Sequence, residues 1–137
     1  MPGKVFVDAN VLIYAQDAAA PEKRERSRKI IADLTESGEG VISTQALQEF
    51  YVAATRKLSV DPLAAKGILK TFSVFELVQV SATLIQEAID CSILNKVSFW
   101  DALIVAAASA AGCTRLLTED FNPGQTMLGV RIENPFT

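Results

Sequence analysis

The segment from residue 97 to residue 112 constrains the fold more than any other part of the sequence. It reads Val-Ser-Phe-Trp-Asp-Ala-Leu-Ile-Val-Ala-Ala-Ala-Ser-Ala-Ala-Gly, and Asp101 is its one charged residue. A helix that is apolar on every side is stable only when other elements cover it all round. Because Ser98 is a suitable N-cap, we expect a buried helix to begin just after it, inside a layered fold.

Short strand-like segments alternate with helical segments along the rest of the chain. Apolar runs predict strands at residues 4–7, 41–43, 72–80, 115–117 and 129–132. Helical spacing and helix-capping residues predict helices at 11–16, from 21 to the stop at 38, 44–58, 61–70 and 81–95. This alternation predicts an α/β fold with three layers (α/β/α) and a mostly parallel central sheet. The 137 residues are expected to form one domain, 1–137.

The chain contains no histidine. This excludes Ser-His-Asp and Cys-His catalysis, histidine-dependent ribonuclease chemistry and every zinc site with a histidine ligand. The net charge of −3, from 16 acidic and 13 basic residues, gives no general nucleic-acid-binding surface, so a nucleic acid would need a local patch. Carboxylates remain as the candidate catalytic groups.

Two features of the sequence bear on localisation. Cys91 and Cys113 are the only cysteines, too few for a disulfide scaffold, and we interpret them as buried thiols in a reducing compartment. The first residues lead into a strand pattern without a signal-like apolar region, and no segment approaches the roughly 18 apolar residues of a membrane span. We therefore expect a cytoplasmic protein that does not bind membranes.

Four acidic residues occupy positions that favour a common site. Asp8 and Asp120 each follow a predicted strand, and ligands of open α/β sheets gather at the carboxyl ends of strands. Asp101 is the single charge on a helix expected to be buried, where an uncompensated carboxylate is costly. Glu49 lies beside the apolar stripe of helix 44–58, from which it can reach inward.

Each of these acids also has a purely structural interpretation. Asp8 and Asp120 fit Asx turns or helix N-caps, and Asp101 has the spacing of a capping box with Ser98. Most helical glutamates such as Glu49 are simply solvated. The combination of four such positions, rather than any one of them, favours a shared pocket.

Four converging carboxylates would raise each other's pKa, and a divalent cation removes that repulsion. With only oxygen ligands at hand, the expected ion is Mg²⁺ or Mn²⁺. Such ions activate water and neutralise charge on phosphate groups in displacement reactions. The residues therefore favour phosphodiester hydrolysis as the reaction class.

The sequence resembles a known family, the PIN domain, and in particular the small stand-alone ribonuclease toxins of the VapC type. The resemblance rests on Val-Phe-Val-Asp-Ala-Asn-Val-Leu at 5–12, on residues 43–49, on Phe-Trp-Asp-Ala-Leu-Ile at 99–104 and on Leu-Leu-Thr-Glu-Asp-Phe at 116–121. It places the family's four metal-site acids on Asp8, Glu49, Asp101 and Asp120. It places the supporting polar positions on Asn10 and Thr118. Glu119 is adjacent to Asp120, so which of these two lies closer to the metal is left open.

The resemblance implies a metal-dependent endoribonuclease that hydrolyses RNA, is often a homodimer and is inhibited by a small antitoxin bound over the acids. Asp8 and Asp101 would hold the first Mg²⁺ or Mn²⁺ ion, with Glu49 and Asp120 completing the site. Asn10 and Thr118 would fix the orientation of the carboxylates. The high apolar share, 50%, also fits an obligate partner.

Three further features bear on how RNA would bind. Residues 22–29 hold five bases and two acids, which suits either an RNA backbone contact or a solvated helix face. The pair Arg56-Lys57 has the same two interpretations. Phe121 or Tyr14 would stack on a base or pack in the core.

Other chemistries of strand-end acids fit less well. A phosphoacceptor receiver needs an acidic pair after its first strand, and an aspartate-nucleophile phosphatase needs a second Asp where this chain has Asn10. No glycine-rich phosphate loop or dinucleotide fingerprint occurs. The alternative that remains is a PIN-like module that binds RNA or protein without catalysis.

Overall fold

The computed structural model describes residues 3–137, and residues 1–2 of the predicted domain lie outside that range. A six-stranded sheet forms its centre, with the strand order β3-β2-β1-β4-β6-β5. The strands are β1 (Val5–Val7), β2 (Gly40–Ser43), β3 (Glu76–Val78), β4 (Arg115–Leu117), β5 (Thr126–Met127) and β6 (Val130–Glu133). Every neighbouring pair is parallel except β5 and β6. The prediction of a mostly parallel sheet is therefore confirmed.

In the described part of the chain, six α-helices connect and cover the strands. They are α1 (Ala9–Tyr14), α2 (Pro21–Ser37), α3 (Thr44–Arg56), α4 (Pro62–Thr71), α5 (Ala82–Asn95) and α6 (Phe99–Ala110). Pro21 and Pro62 stand in the first turns of α2 and α4, where the missing N–H costs nothing. α2 ends at Gly38, whose φ of 73° is the left-handed conformation that glycine adopts without strain.

The helices lie on both faces of the sheet. Phe6 points to one side, into a core cluster with residues of α5 and α6. Its neighbours Val5 and Val7 point to the other side, where α1, α2 and α3 contribute Leu12, Ile30 and Phe50, among others. Side chains of a strand alternate between its two faces, so the three apolar residues of β1 serve both cores. The three-layer prediction is confirmed.

α6 is the buried helix that the sequence predicts. All seven residues from 102 to 108 are buried. Ser98 is its N-cap, and the Ser98 Oγ accepts a hydrogen bond of 3.1 Å from the Asp101 backbone N–H. Within residues 3–137, no hydrogen bond returns from the Ser98 N–H to the Asp101 carboxylate, so only half of the capping box forms and that carboxylate stays available.

The predicted strand at 72–80 is shorter than expected. Phe72–Val74 form a 3₁₀ turn, and β3 covers only Glu76–Val78. Phe72 and Phe75 are both buried, and Phe72 packs edge-on against Phe50 with ring centroids 5.2 Å apart. Residues three apart lie on one side of a 3₁₀ turn, whereas in a strand they point to opposite faces. Burial of both rings in one core therefore favours the turn.

The hairpin of β5 and β6 was not predicted from the sequence. Its two turn residues, Leu128 and Gly129, have φ values of 50° and 78°, as a type I′ turn requires. Leucine is rarely found at positive φ, so the sequence carries no ordinary turn signal there. The last strand accordingly begins at Val130 rather than at residue 129.

No helix within residues 3–137 has by itself both the length and the apolar composition to cross a membrane. α5 and α6 meet that test only as a pair, and they are bent by 116° at the break between them. Cys91 and Cys113 are buried and form no disulfide, as expected. Burial raises the pKa of the Cys113 thiol to about 12, so it stays protonated at neutral pH.

Candidate active site

A cleft of about 1110 Å³ opens at the carboxyl edge of the sheet. From β1, the chain first adds β2 and β3 on one side and later β4 and β6 on the other, so this edge is a topological switch point, where open α/β sheets bind ligands. The predicted acids Asp8, Glu49, Asp101 and Asp120 all line this cleft, and so do Asn10 and Glu119.

Asp8 is the most buried of the four acids, with 4% of its surface exposed. It follows β1 and is the N-cap of α1, where its Oδ1 accepts a 2.7 Å hydrogen bond from the Ala9 N–H. Its Oδ2 accepts a 2.7 Å bond from the Thr118 hydroxyl. Burial raises the pKa of Asp8 to about 7 against these two bonds, which lower it, and the charges of Glu49 and Asp120 add to the rise. The cap and the candidate catalytic position are thus one residue.

Glu49 lies on the face of α3 that borders the cleft, although its side chain stays open to solvent. Partial burial raises its pKa, and the charges of Asp120 and Asp101 raise it further. Asp120 and Asp101 are therefore close enough for their negative charges to disfavour the ionised form of Glu49. The acids therefore repel one another across the cleft.

Thr118 connects the acids of two neighbouring strands. Its Oγ1 donates to Asp8 and accepts from the Asn10 side-chain amide at 3.2 Å and from the Asp120 N–H at 3.2 Å. One donated and two accepted bonds use the full capacity of a hydroxyl. The Asn10 amide also donates to the Asp120 Oδ2 at 3.2 Å. Asn10 and Thr118 therefore orient Asp8 and Asp120 relative to each other.

Glu119 has different partners. Its Oε1 accepts a 2.7 Å bond from the Tyr14 hydroxyl, and its Oε2 lies 2.6 Å from the Lys23 Nζ. Burial is the largest single influence and raises its pKa, but the bonds from Lys23 and Tyr14, together with the Lys23 charge, outweigh it and hold the pKa below its usual value. The Lys23 ammonium also lies 4.8 Å from the centre of the Tyr14 ring. Both oxygens of Glu119 are therefore bound to Tyr14 and Lys23, whereas Asp120 is bound by Asn10 through its Oδ2.

The donor set of the cleft suits a hard divalent cation, because its polar groups are carboxylate and amide oxygens. The Asn10 Oδ1 is buried and has no hydrogen-bond partner among residues 3–137, and a bound cation or its water shell would supply one. Within residues 3–137, however, no three acidic, cysteine or histidine side chains stand in a ready metal-binding group. The chemistry of the donors fits a metal, while the carboxylates would have to draw closer around it.

The residues of the basic stretch at 22–29 do not themselves line the cleft. Each of the five bases has a partner in the fold: Lys23 bonds Glu119 at the edge of the cleft, Arg24 faces Glu25, Lys29 faces Asp33, and Arg26 and Arg28 bond the carbonyls of Pro135 and Ala15. The interpretation as a solvated helix face is therefore favoured over an RNA contact.

Of the two aromatic candidates, Phe121 packs against the core cluster of α5 and α6 and does not line the cleft. Tyr14 does line the cleft, but its hydroxyl is bound to Glu119 and its ring packs edge-on against Phe136 at 5.1 Å.

Sequence reasoning missed two kinds of cleft residue. The glutamines Gln45 and Gln48 lie on the same face of α3 as Glu49 and Arg56, a pattern that helical spacing from Glu49 would have revealed. Trp100 also lines the cleft, with 64% of its surface exposed. Because Trp100 lies in an apolar segment, the sequence favoured a core position for it. Arg56 and Lys57, whose role the sequence left open, both border the cleft.

Comparison with known proteins gives similar folds at low sequence identity. A toxin-antitoxin complex from Klebsiella pneumoniae matches with a TM-score of 0.68 and 19% identity, over 93% of this chain and 95% of that chain. VapC20 from Mycobacterium tuberculosis, described as a sarcin-ricin loop cleaving toxin, matches with a TM-score of 0.65 and 18% identity, over 82% of this chain and 87% of that chain. DNA-bound VapBC from Salmonella typhimurium matches with a TM-score of 0.68 and 21% identity, over 98% of this chain and 99% of that chain. No curated protein matches the sequence.

The family model described as PIN domain matches residues 5–125. That range covers β1 to β4 and all four acids of the cleft. Together with the three-layer fold and the cleft at its switch point, the match shows that this chain is a member of the PIN domain family.

Proposed function

We propose that this protein is a metal-dependent endoribonuclease that hydrolyses RNA phosphodiester bonds, and that it is the toxin of a VapBC-type toxin–antitoxin pair. The observation that carries the proposal is the convergence of Asp8, Glu49, Asp101 and Asp120 on one cleft, where burial raises the pKa of Asp8 and Glu49 and the neighbouring charges add to the rise. Similarity to VapC20, described as cleaving the sarcin-ricin loop, supports RNA as the substrate.

The proposed cofactor is Mg²⁺ or Mn²⁺, held by Asp8 and Asp101 with Glu49 and Asp120 completing the site. When bound, the ion would activate the attacking water and neutralise charge that develops on the phosphate. It would also offset the repulsion among the carboxylates, which adds to the effect of burial on the pKa of Asp8 and Glu49.

The chain's own residues prepare the site for that chemistry. Thr118 and the Ala9 N–H hold Asp8 in one orientation, and both bonds favour its ionised form. Asn10 holds the Asp120 carboxylate through its Oδ2. Glu49 borders the same cleft from α3 and completes the set of carboxylates around the proposed ion.

We propose two protein partners. Structures of related fold are VapBC complexes, some bound to DNA, which supports an antitoxin whose segment covers the cleft. A homodimer is supported by exposed apolar residues on α5, where Ile89, Ile93 and Leu94 are 39%, 69% and 78% exposed. Sedimentation at several protein concentrations tests the dimer.

We propose the cytoplasm as the location of the protein, because its buried free thiols suit a reducing compartment.

The decisive experiment compares the wild type with Asp8→Asn, each induced in a bacterial host, with mapping of newly formed RNA 5′ ends. We expect discrete new ends with the wild type alone, and purified wild type that cuts RNA only with Mg²⁺ or Mn²⁺. Equal cleavage by Asp8→Asn would sink the assignment. If neither folded protein cuts RNA, the alternative of a PIN-like binding module without catalysis takes its place.

A further inference from the structure

The cleft carries residues that the proposed metal site does not use. Arg56 and Lys57 border it at the end of α3, and both are exposed. The ion pairs formed within residues 3–137 include neither of them. Two unneutralised cations beside a cluster of acids are well placed to bind an anion that approaches those acids.

Arg56 extends the site in a defined direction. It lies seven residues, or two helical turns, after Glu49, so the two share one face of α3 about 10 Å apart along the helix axis. At this distance, Arg56 would bind a different phosphate of the same nucleic-acid strand from the phosphate that lies at the acids. This spacing suits a nucleic-acid backbone running along α3.

Trp100 offers an aromatic surface next to Asp101. The residue is 64% exposed, and its ring packs edge-on against Phe99, with centroids 5.1 Å apart and planes at 75°. Phe99 is half-buried and packs against the core, so the indole has one aromatic support and is otherwise largely open to solvent. An exposed indole beside the acids is a stacking surface for a nucleobase, because every base has a π-face.

Gln45 adds an unsatisfied polar atom to the same cleft. The residue is 7% exposed, and its Oε1 is buried with no hydrogen-bond partner within the described residues. A buried acceptor of this kind is satisfied by a donor from outside the chain. Base amines and the ribose 2′-hydroxyl are such donors.

We propose that Trp100, Arg56 and Lys57 form a subsite for a single-stranded RNA segment beside the scissile bond. Trp100 stacks on one unpaired base, and Arg56 and Lys57 bind flanking phosphates. A base stacked on Trp100 must leave its own helix, so the substrate class is a loop, bulge or single strand rather than a duplex. The inference rests on the proposed function, since it names the RNA that the acids would cut.

Trp100 is the only tryptophan in the chain, so tryptophan fluorescence reports on this subsite alone. The test titrates a short single-stranded RNA into the Asp8→Asn protein. The proposed function predicts that this variant does not cleave the RNA during the titration. We expect saturable quenching of Trp100 emission, and none with a blunt RNA duplex of the same sequence.

Matched variants separate stacking from charge. In the same background, Trp100→Leu is expected to weaken RNA binding about ten-fold, measured by fluorescence anisotropy of labelled RNA, while Trp100→Phe retains most of it. Removing both cations with Arg56→Gln and Lys57→Gln should lower the slope of log affinity against log salt by about 1.4. Lys66→Gln with Lys70→Gln, on α4 outside the cleft, removes the same charge and should leave the slope nearly unchanged.

RNA cleavage measured with Asp8 intact distinguishes a failure of the proposed subsite from a failure of the proposed catalysis. RNA cutting with no quenching and with an unchanged KM in Trp100→Leu would overturn the subsite alone, and would assign the exposed indole to a protein contact. Quenching with the expected salt dependence, but no cutting by the wild type, would overturn the proposed catalysis and keep the subsite. Equal quenching by duplex and single strand would refute the single-strand assignment.

Discussion

The Thr118 hydroxyl donates a 2.7 Å hydrogen bond to the Asp8 Oδ2 across two parallel strands that lie side by side in the sheet. Both residues are buried, with Thr118 completely covered. The bond favours the ionised form of a carboxylate whose burial favours the neutral form more strongly, so the pKa of Asp8 is still raised to about 7. The candidate site therefore depends on a polar contact between residues 110 positions apart in sequence.

Removal of this bond should change the pH dependence of cleavage. Thr118→Val keeps the shape but removes the donor, so the pKa of Asp8 rises further and a higher pH is needed to ionise it. We expect lower activity and an ascending limb of the pH–rate profile moved to higher pH. Thr118→Ser retains the hydroxyl and should restore the wild-type profile. A Val variant with an unmoved profile would show that Asp8 is not the group whose ionisation limits the rate.

Asp8→Asn should stabilise the metal-free protein at pH 8. The pKa of Asp8 rises from 3.8 in an open chain to about 7 in the fold. Its contribution to stability is thus fully present below pH about 4 and is lost as the pH rises through 7, an effect on the order of a few kcal/mol. Denaturant unfolding with a chelator present should show a gain for Asn at pH 8 that disappears near pH 4. A loss of stability at pH 8 would contradict the assigned burial cost.

Divalent cations should stabilise the wild type most at high pH. Binding requires ionised carboxylates, and a ligand that binds only the folded state raises the melting temperature. We expect Mn²⁺ or Mg²⁺ to raise Tm more at pH 8 than at pH 5, and to have little effect on Asp8→Asn or Asp101→Asn. Ca²⁺ serves as a probe of simple charge neutralisation. The same Tm rise in both variants would place the ion elsewhere.

Glu119 and Asp120 should differ sharply in their effect on cleavage. Asp120 faces the cleft and is bound by Asn10, whereas Glu119 is bound by Tyr14 and Lys23. We expect Glu119→Gln to lower kcat about ten-fold or less, as positioning residues do, and Asp120→Asn to lower it far more. Lys23→Met should resemble Glu119→Gln, and the double variant should be no worse than either. The opposite ranking of the two acids would reverse their assignment.

Local patterns predicted much of this fold because local physics determines those parts. The helix after Ser98 is capped by its own hydroxyl and buried by its own composition. The strand ends that carry Asp8 and Asp120 follow from short apolar runs that can only be central strands. In contrast, the turn at Leu128-Gly129 and the 3₁₀ turn at Phe72 depend on contacts that no short window contains.

The sequence by itself determined the layered α/β architecture, the carboxylate-only chemistry and the order of four candidate acids along the chain. Only the tertiary structure gave Glu119 and Asp120 different partners, and only it placed Arg56, Lys57 and Trp100 at the cleft. The physical reason is distance along the chain. Glu119 is held by Tyr14 and Lys23, about a hundred residues earlier, and such partners are chosen by the packing of whole strands and helices.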